Sequence, residues 1–274
     1  SILYEGYVPK FVDIDPETLN LDPKNIEAAI TDRTVAILPV HVFGNPCDVE
    51  AIYAIAAKHN LKVIYDAAHA VGVEYRGKSI FSYGTVSATS FHATKLLNTS
   101  EGGGIITSDV DLDERLRELR FFGYDTTKEV ARIGTNAKMT EVNAAIGLAN
   151  LPYLHDIIAD RRKKYDLYKS ILSQSTALSF QKIDASCNCS YFPVVFDGFR
   201  ADRDQIFEEL RANDVIARKY FYPVTDEFSC YRELPTASAT PVASSLAKRV
   251  LCLPLFADLA EEDAARIARI ILGE

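Results

Sequence analysis

The sequence predicts an α/β fold, a parallel sheet with helices on its faces, followed by a smaller α+β unit. Three observations carry this. Short apolar runs alternate with helical patterns between residues 34 and 66, the rhythm of βαβ units. The sheet pattern continues in residues 85–91 and 104–107. After Pro152 a long charged helix begins and the rhythm changes. We expect a large domain over residues 1–154 and a small one over 155–274, which the length of 274 residues accommodates.

Taken in order, residues 8–15 (VPKFVDID) read as a strand. Asp22 then caps a helix that has Pro23 in its first turn and runs to Ala29 or Ile30. Residues 34–40 are apolar with β-branched members, the pattern of a buried strand. Residues 41–46 form a loop, and Asp48 caps a helix through Ala57 or Lys58. Residues 62–66 make the next buried strand. Helices are expected over 111–120 and 139–150, with a loop containing Gly123 and Gly134 between them. Val142, Ala145, Ile146 and Ala149 stand at helical spacing in the second.

The charged helix runs to about Leu172. Beyond it we read a strand over 191–196, a helix over 202–213 and a strand entering a loop over 215–222. An irregular stretch over 225–241 leads to a helix over 244–250, a short strand over 251–255 and a closing helix over 260–272.

Composition narrows the function classes. Net charge is −8, and no dense basic stretch offers a nucleic-acid footprint. The run Arg161-Arg162-Lys163-Lys164 reads as a solvated helix face. Five cysteines, Cys47, Cys187, Cys189, Cys230 and Cys252, are scattered and odd in number. Cys187-Asn188-Cys189 is too tight for the usual zinc spacing, so we expect reduced thiols in the cytoplasm and no metal. No apolar run is long enough to span a bilayer, so no membrane partner is expected.

Ligands of an open parallel sheet bind beyond the carboxyl ends of its strands. Asp66, His41, Ser90 and His92 fall at such ends, and Lys95 follows closely. An acid, a serine and a lysine at one rim fit a pyridoxal phosphate site. The lysine makes the Schiff base, the aspartate pairs with the pyridinium nitrogen, and the serine holds a phosphate oxygen. Burial lowers a lysine's proton affinity, and a neutral amine is what attacks a carbonyl. Each residue has a plainer reading: Lys95 as a surface lysine, Asp66 as the cap of Ala67-Ala68-His69, His41 as a structural histidine. The run Gly102-Gly103-Gly104 reads as close backbone approach. It is not a P-loop, because the lysine precedes it.

Asp66-Ala67-Ala68-His69-Ala70, Ser90-Phe91-His92-Ala93-Thr94-Lys95 and Glu101-Gly102-Gly103-Gly104, in that order and spacing, resemble the DegT/StrS family of nucleotide-sugar aminotransferases. Residues 11–15, 39–44 and 134–141 extend the resemblance across the chain. It implies a fold-type-I pyridoxal phosphate enzyme with a mostly parallel sheet, usually a homodimer with shared sites. By position, Lys95 is the catalytic, cofactor-anchoring lysine and proton shuttle. Asp66 is the pyridinium partner, His69 contacts the phenolic oxygen, and Ser90 holds the phosphate. Asn136 resembles an asparagine that reaches the phosphate from the neighbouring subunit. The family usually follows it with an aromatic and Arg, where Ala137 and Lys138 stand here.

His41, Lys219, Tyr220 and Tyr222 are the expected substrate contacts, cations meeting a diphosphate and tyrosines stacking or hydrogen-bonding. Arg218 to Pro223 also reads as a strand end packed on the large domain. The implied reaction moves an amino group, from glutamate, to a keto carbon of a nucleotide-linked dideoxy sugar. Two alternatives stand beside it: a non-catalytic or truncated regulatory or binding relative, and a sugar dehydratase or lyase on the same cofactor. Family members carry a segment before the stretch matching Ser1. We expect that segment to supply the backbone cradle for the cofactor phosphate and a ring-stacking aromatic.

Overall fold

The computed structural model describes residues 1–183, 185–231, 234 and 240–274. In chain order residues 1–150 contain β1 (Ala36–Ile37), α1 (Val49–His59), β2 (Lys62–Asp66), β3 (Glu74–Tyr75), β4 (Lys78–Ser79), β5 (Val86–Ser90), β6 (Gly103–Ile106), α2 (Val110–Arg120) and α3 (Glu141–Asn150). The remainder comprises α4 (Leu154–Leu172), β7 (Leu178–Phe180), β8 (Phe192–Phe196), α5 (Arg203–Ala212), α6 (Pro241–Ala247), β9 (Val250–Leu253) and α7 (Glu261–Leu272).

The main sheet has the order β1-β2-β5-β6. β1, β2 and β5 are parallel, and β6 runs antiparallel to β5. The glycine run explains how β6 comes so close. A Cβ on Gly103 would lie 2.8 Å from the Thr89 carbonyl oxygen, and one on Gly102 would collide with Thr99. Helix α1 starts where Asp48 accepts a hydrogen bond from the Ala51 N–H, and ends at Asn60 in the left-handed conformation. It buries Val49, Ile52 and Ala56 against Val63, Tyr65 and Ile80.

The second sheet, β7-β8-β9, is antiparallel. Every residue of β8 and β9 is buried. Helices α4, α5 and α7 pack against them through Tyr168, Leu172, Ile206, Leu210 and Ile271. Full burial of each such side chain stabilises by roughly 1.5–3 kcal/mol. A third cluster, including Leu19, Phe43, Val195 and Leu246, joins the two cores.

Buried amides stitch the junction further. Gln181 Nε2 donates to the carbonyls of Thr18 and Val42, at 2.7 and 3.1 Å. Asn45 Nδ2 donates to the Lys182 carbonyl at 2.9 Å. The Asp13 carboxylate accepts the N–H groups of Val242 and Ala243, at 2.8 and 2.9 Å, in the first turn of α6.

Several expectations are corrected. Residues 8–15 make no strand; only Ile14 bridges, to Leu21. The Asp13 and Asp15 side chains instead take local backbone N–H groups. The helix after Asp22 is two short 3₁₀ turns, Pro23–Asn25 and Glu27–Ala29, although Asp22 caps it as expected. The strand over 34–40 shrinks to β1 with a separate bridge at Val40, and residues 215–222 contribute only a bridge from Arg218 to Cys252. The basic run on α4 is not a solvated face. Lys164 is buried against Asp160, and Arg161 and Arg162 donate to carbonyls of residues 187–190. Within the expected irregular stretch, residues 232, 233 and 235–239 lie outside the described residues.

Candidate active site

The rim is built by strand register. Val40 bridges Asp66, and Asp66 pairs in register with Ala88, two residues before Ser90. Asp66 and Ser90 therefore end neighbouring parallel strands, with Lys95 in the turn beyond β5. That turn is closed by the Lys95 N–H donating to the His92 carbonyl at 2.9 Å. The His92 ring is engaged locally, its Nδ1 accepting from the Thr94 N–H at 3.2 Å.

The Lys95 side chain is half-buried. Desolvation pulls its proton affinity below the usual lysine value, while the Asp66 charge partly restores it. Asp66 also accepts from the Ala68 N–H at 3.0 Å, so one carboxylate caps the following turn and faces the amine's charge. Lys95 and His69 share a small cavity whose wall includes Ser190 and Tyr191.

His69 is held at its ring by aromatic neighbours and at its backbone by hydrogen bonds. Phe43 and Phe221 stack nearly parallel to it, with centroids 6.5 and 5.9 Å away, and Tyr191 tilts against it at 4.7 Å. The Phe43 N–H donates to His69 Nδ1 at 3.2 Å. Nδ1 is therefore the acceptor nitrogen, and the ring proton sits on Nε2. Burial, with the Lys95 charge second, lowers the His69 pKa to about 4. Near neutral pH the residue is an uncharged Nε2–H donor.

The other expected residues fall in different places. Ser90 is half-buried at the end of β5, its hydroxyl accepting from the His92 N–H at 3.3 Å. Asn136 lies exposed on the loop before α3, bridging Phe121, while neighbouring Lys138 stands 4.1 Å over the Phe122 ring. His41 corrects its expectation as a substrate contact. It is wholly buried and stacked on Tyr65 at 4.5 Å. Tyr65 and Asp66 are successive strand residues, so His41 packs on the sheet face opposite Asp66. Its Nδ1 accepts from the Cys47 N–H at 3.0 Å, and burial lowers its pKa to about 3.

Lys219 pairs with Asp204 at 2.5 Å and stands 4.3 Å over the Phe207 ring, so its charge is engaged on α5. Tyr222 is half-exposed beneath the Arg203 guanidinium, 5.0 Å from the ring centroid. Tyr220 comes nearer the site, stacking on Phe221 at 4.9 Å and meeting Tyr191 edge-on at 5.9 Å. Phe43, Asn188, Ser190 and Tyr191 enter the site without having been singled out in the sequence. A polar Asn-x-Ser-Tyr preceding an all-apolar strand is the one signal they leave.

The donor set suits pyridoxal phosphate: a desolvated amine, a carboxylate within reach of its charge, a neutral imidazole N–H and a hydroxyl at one rim. The shared cavity is small, about 10 Å³, so the fit rests on these groups and not on enclosed volume.

Comparison with known proteins gives a consistent assignment. The DegT/DnrJ/EryC1/StrS aminotransferase family matches residues 1–272. An Escherichia coli protein named dTDP-4-amino-4,6-dideoxy-D-glucose transaminase is 41% identical, over 100% of this chain and 76% of its own. A Caulobacter vibrioides GDP-perosamine synthase is 36% identical, over 97% of this chain and 73% of its own. Among solved structures, DesI, crystallised in the presence of its TDP-sugar product, superposes with a TM-score of 0.92. It is 37% identical, covering 98% of this chain and 69% of that one.

Proposed function

The chain belongs to the DegT/DnrJ/EryC1/StrS aminotransferase family, and from that premise we propose that it moves an amino group from glutamate to a keto carbon of a nucleotide-linked dideoxy sugar, using pyridoxal phosphate. The observation that carries this reading is the half-buried Lys95 amine, with lowered proton affinity, facing both Asp66 and His69. The relatives named as sugar transaminases support the substrate class.

When bound, the cofactor supplies an electron sink for the charge left at the donor's Cα. The Lys95 amine would hold the cofactor covalently through its carbonyl carbon and, as a base and acid, would carry the proton that leaves the donor's Cα. The Asp66 carboxylate would hold the proton on the ring nitrogen. His69 Nε2–H would donate to the phenolic oxygen, and the Ser90 hydroxyl would bind a phosphate oxygen. Asn136, exposed on the loop before α3, is assigned to a neighbouring subunit's phosphate in a cytoplasmic homodimer. Tyr220 is assigned to the sugar nucleotide. We place the division between the large and small domains at the start of α4.

The test is reconstitution with pyridoxal phosphate, followed by a panel of keto-sugar nucleotides with glutamate and mass spectrometry of the products. A mass gain matching replacement of a keto oxygen by an amine, lost in Lys95→Ala, is the expected result. Equal turnover by wild type and Lys95→Ala would remove Lys95 from the reaction.

A further inference from the structure

We infer that Asn188 is a positioning residue for His69, setting from the second unit the direction in which the imidazole N–H points. The inference rests on the reading of His69 as a cofactor contact and identifies what holds it there.

Asn188 is 1% exposed and spends its whole amide on this task. Its Nδ2 donates to the carbonyls of His69 and Val71, at 2.7 and 2.8 Å. Its Oδ1 accepts from the Ser190 N–H at 3.1 Å, and the Ser190 hydroxyl donates to the same His69 carbonyl at 3.2 Å. The turn that carries His69 is thereby gripped at its backbone by residues more than a hundred positions away.

Packing shows how little room this grip leaves. Gly44 has φ +84°, and a Cβ there would lie 2.5 Å from Asn188 Oδ1 and 2.8 Å from the His69 carbonyl oxygen. The Gly44 loop, the His69 turn and Asn188 are layered at a distance only glycine permits. Phe43, one residue before, donates its N–H to the His69 ring. A shift of the His69 turn therefore separates Nδ1 from its donor and frees the ring to turn.

The far side of Asn188 is braced too. Arg162 donates to the Cys187 carbonyl at 2.6 Å, and Arg161 to that of Ser190 at 3.2 Å. Two guanidinium groups of α4 fix the backbone on each side of Asn188, and Asn188 fixes His69. Burying such an amide is favourable only because its donors and acceptor are all used.

The test reads the His69 ring in the cofactor-free chain by ¹⁵N NMR of the imidazoles, assigned with His69→Gln. In wild type we expect the Nε2–H tautomer and a pH midpoint near 4. In Asn188→Ala the midpoint rises by about one unit or more as the ring gains solvent, and the Nδ1 resonance shifts. Ser190→Ala removes a single donor and gives a smaller shift in the same direction; it serves if Asn188→Ala does not fold. The reconstituted Asn188→Ala enzyme should lose about tenfold in kcat with the sugar KM held, the pattern of a lost transition-state contact. An unchanged tautomer and midpoint in a folded variant would overturn the inference. Absence of amino transfer in wild type would instead strike the proposed function, leaving the NMR result to decide Asn188.

Discussion

Phe43 donates its backbone N–H to His69 Nδ1, and that one hydrogen bond decides which nitrogen of the ring carries the proton. A residue of the loop after β1 thus sets the chemistry of a residue after β2. His69→Gln preserves a side-chain donor, whereas His69→Ala removes it. We expect His69→Gln to keep most activity and His69→Ala to lose about 10- to 100-fold in kcat/KM, roughly the value of one charge-assisted hydrogen bond. Steady-state kinetics of the two variants checks the order.

His41 and His69 make the fold sensitive to acid. The unfolded chain takes up both protons near pH 6.5, whereas the folded chain resists until about 3 and about 4. Acidification through that window favours the unfolded state. Their contribution is complete above about pH 6.5 and is lost progressively below it, on the order of 3 kcal/mol for each histidine. Urea unfolding at pH 7.5, 6 and 5 should show a falling midpoint, with a gentler decline in His41→Gln.

Asp66→Asn keeps the side chain's shape and its bond from the Ala68 N–H but removes the charge facing Lys95. The Lys95 amine should then lose its proton at still lower pH. Reconstituted protein should retain the cofactor through Lys95 and lose at least about 100-fold in kcat, because the ring nitrogen's proton loses its counter-charge. Absorbance titration and turnover together check both halves.

Gly103→Ala places a methyl 2.8 Å from the Thr89 carbonyl oxygen, so β5 and β6 must part. The cost should be about 1–3 kcal/mol of stability. Because β5 leads directly into the Lys95 turn, turnover should fall as well. Denaturant melts and kinetics on the same sample measure the pair.

Asp202→Ala is the control far from the rim. It removes a capping box in which Asp202 accepts from the Gln205 N–H and Gln205 returns a bond to the Asp202 N–H. Stability should drop by about 1 kcal/mol, with amino transfer unchanged.

Much of this arrangement was legible in the chain itself. Asp66 and Ser90 stand at strand ends that apolar runs announce, Lys95 follows in the next turn, and Asp48 marks its helix by capping. The hairpin β3–β4 escaped notice. Its strands are two residues each and mostly exposed, so no hydrophobic period exists to detect, though Arg76-Gly77 carries the positive φ of a tight turn. β7 is three residues long and takes its register from β8. The surroundings of Lys219 and His41 were not legible for one reason: Asp204, and Tyr65 with Cys47, come beside them only in space. Asn188 was invisible because its partners lie more than a hundred residues upstream.

The amides of Gln181, Asn45 and Asn188 and the carboxylate of Asp13 all cross between the two units. Swinging one unit away from the other would strand each of these groups without its partner. Any hinge at this seam would have to break these bonds together, so on the proposed function access to Lys95 falls to side chains and surface loops.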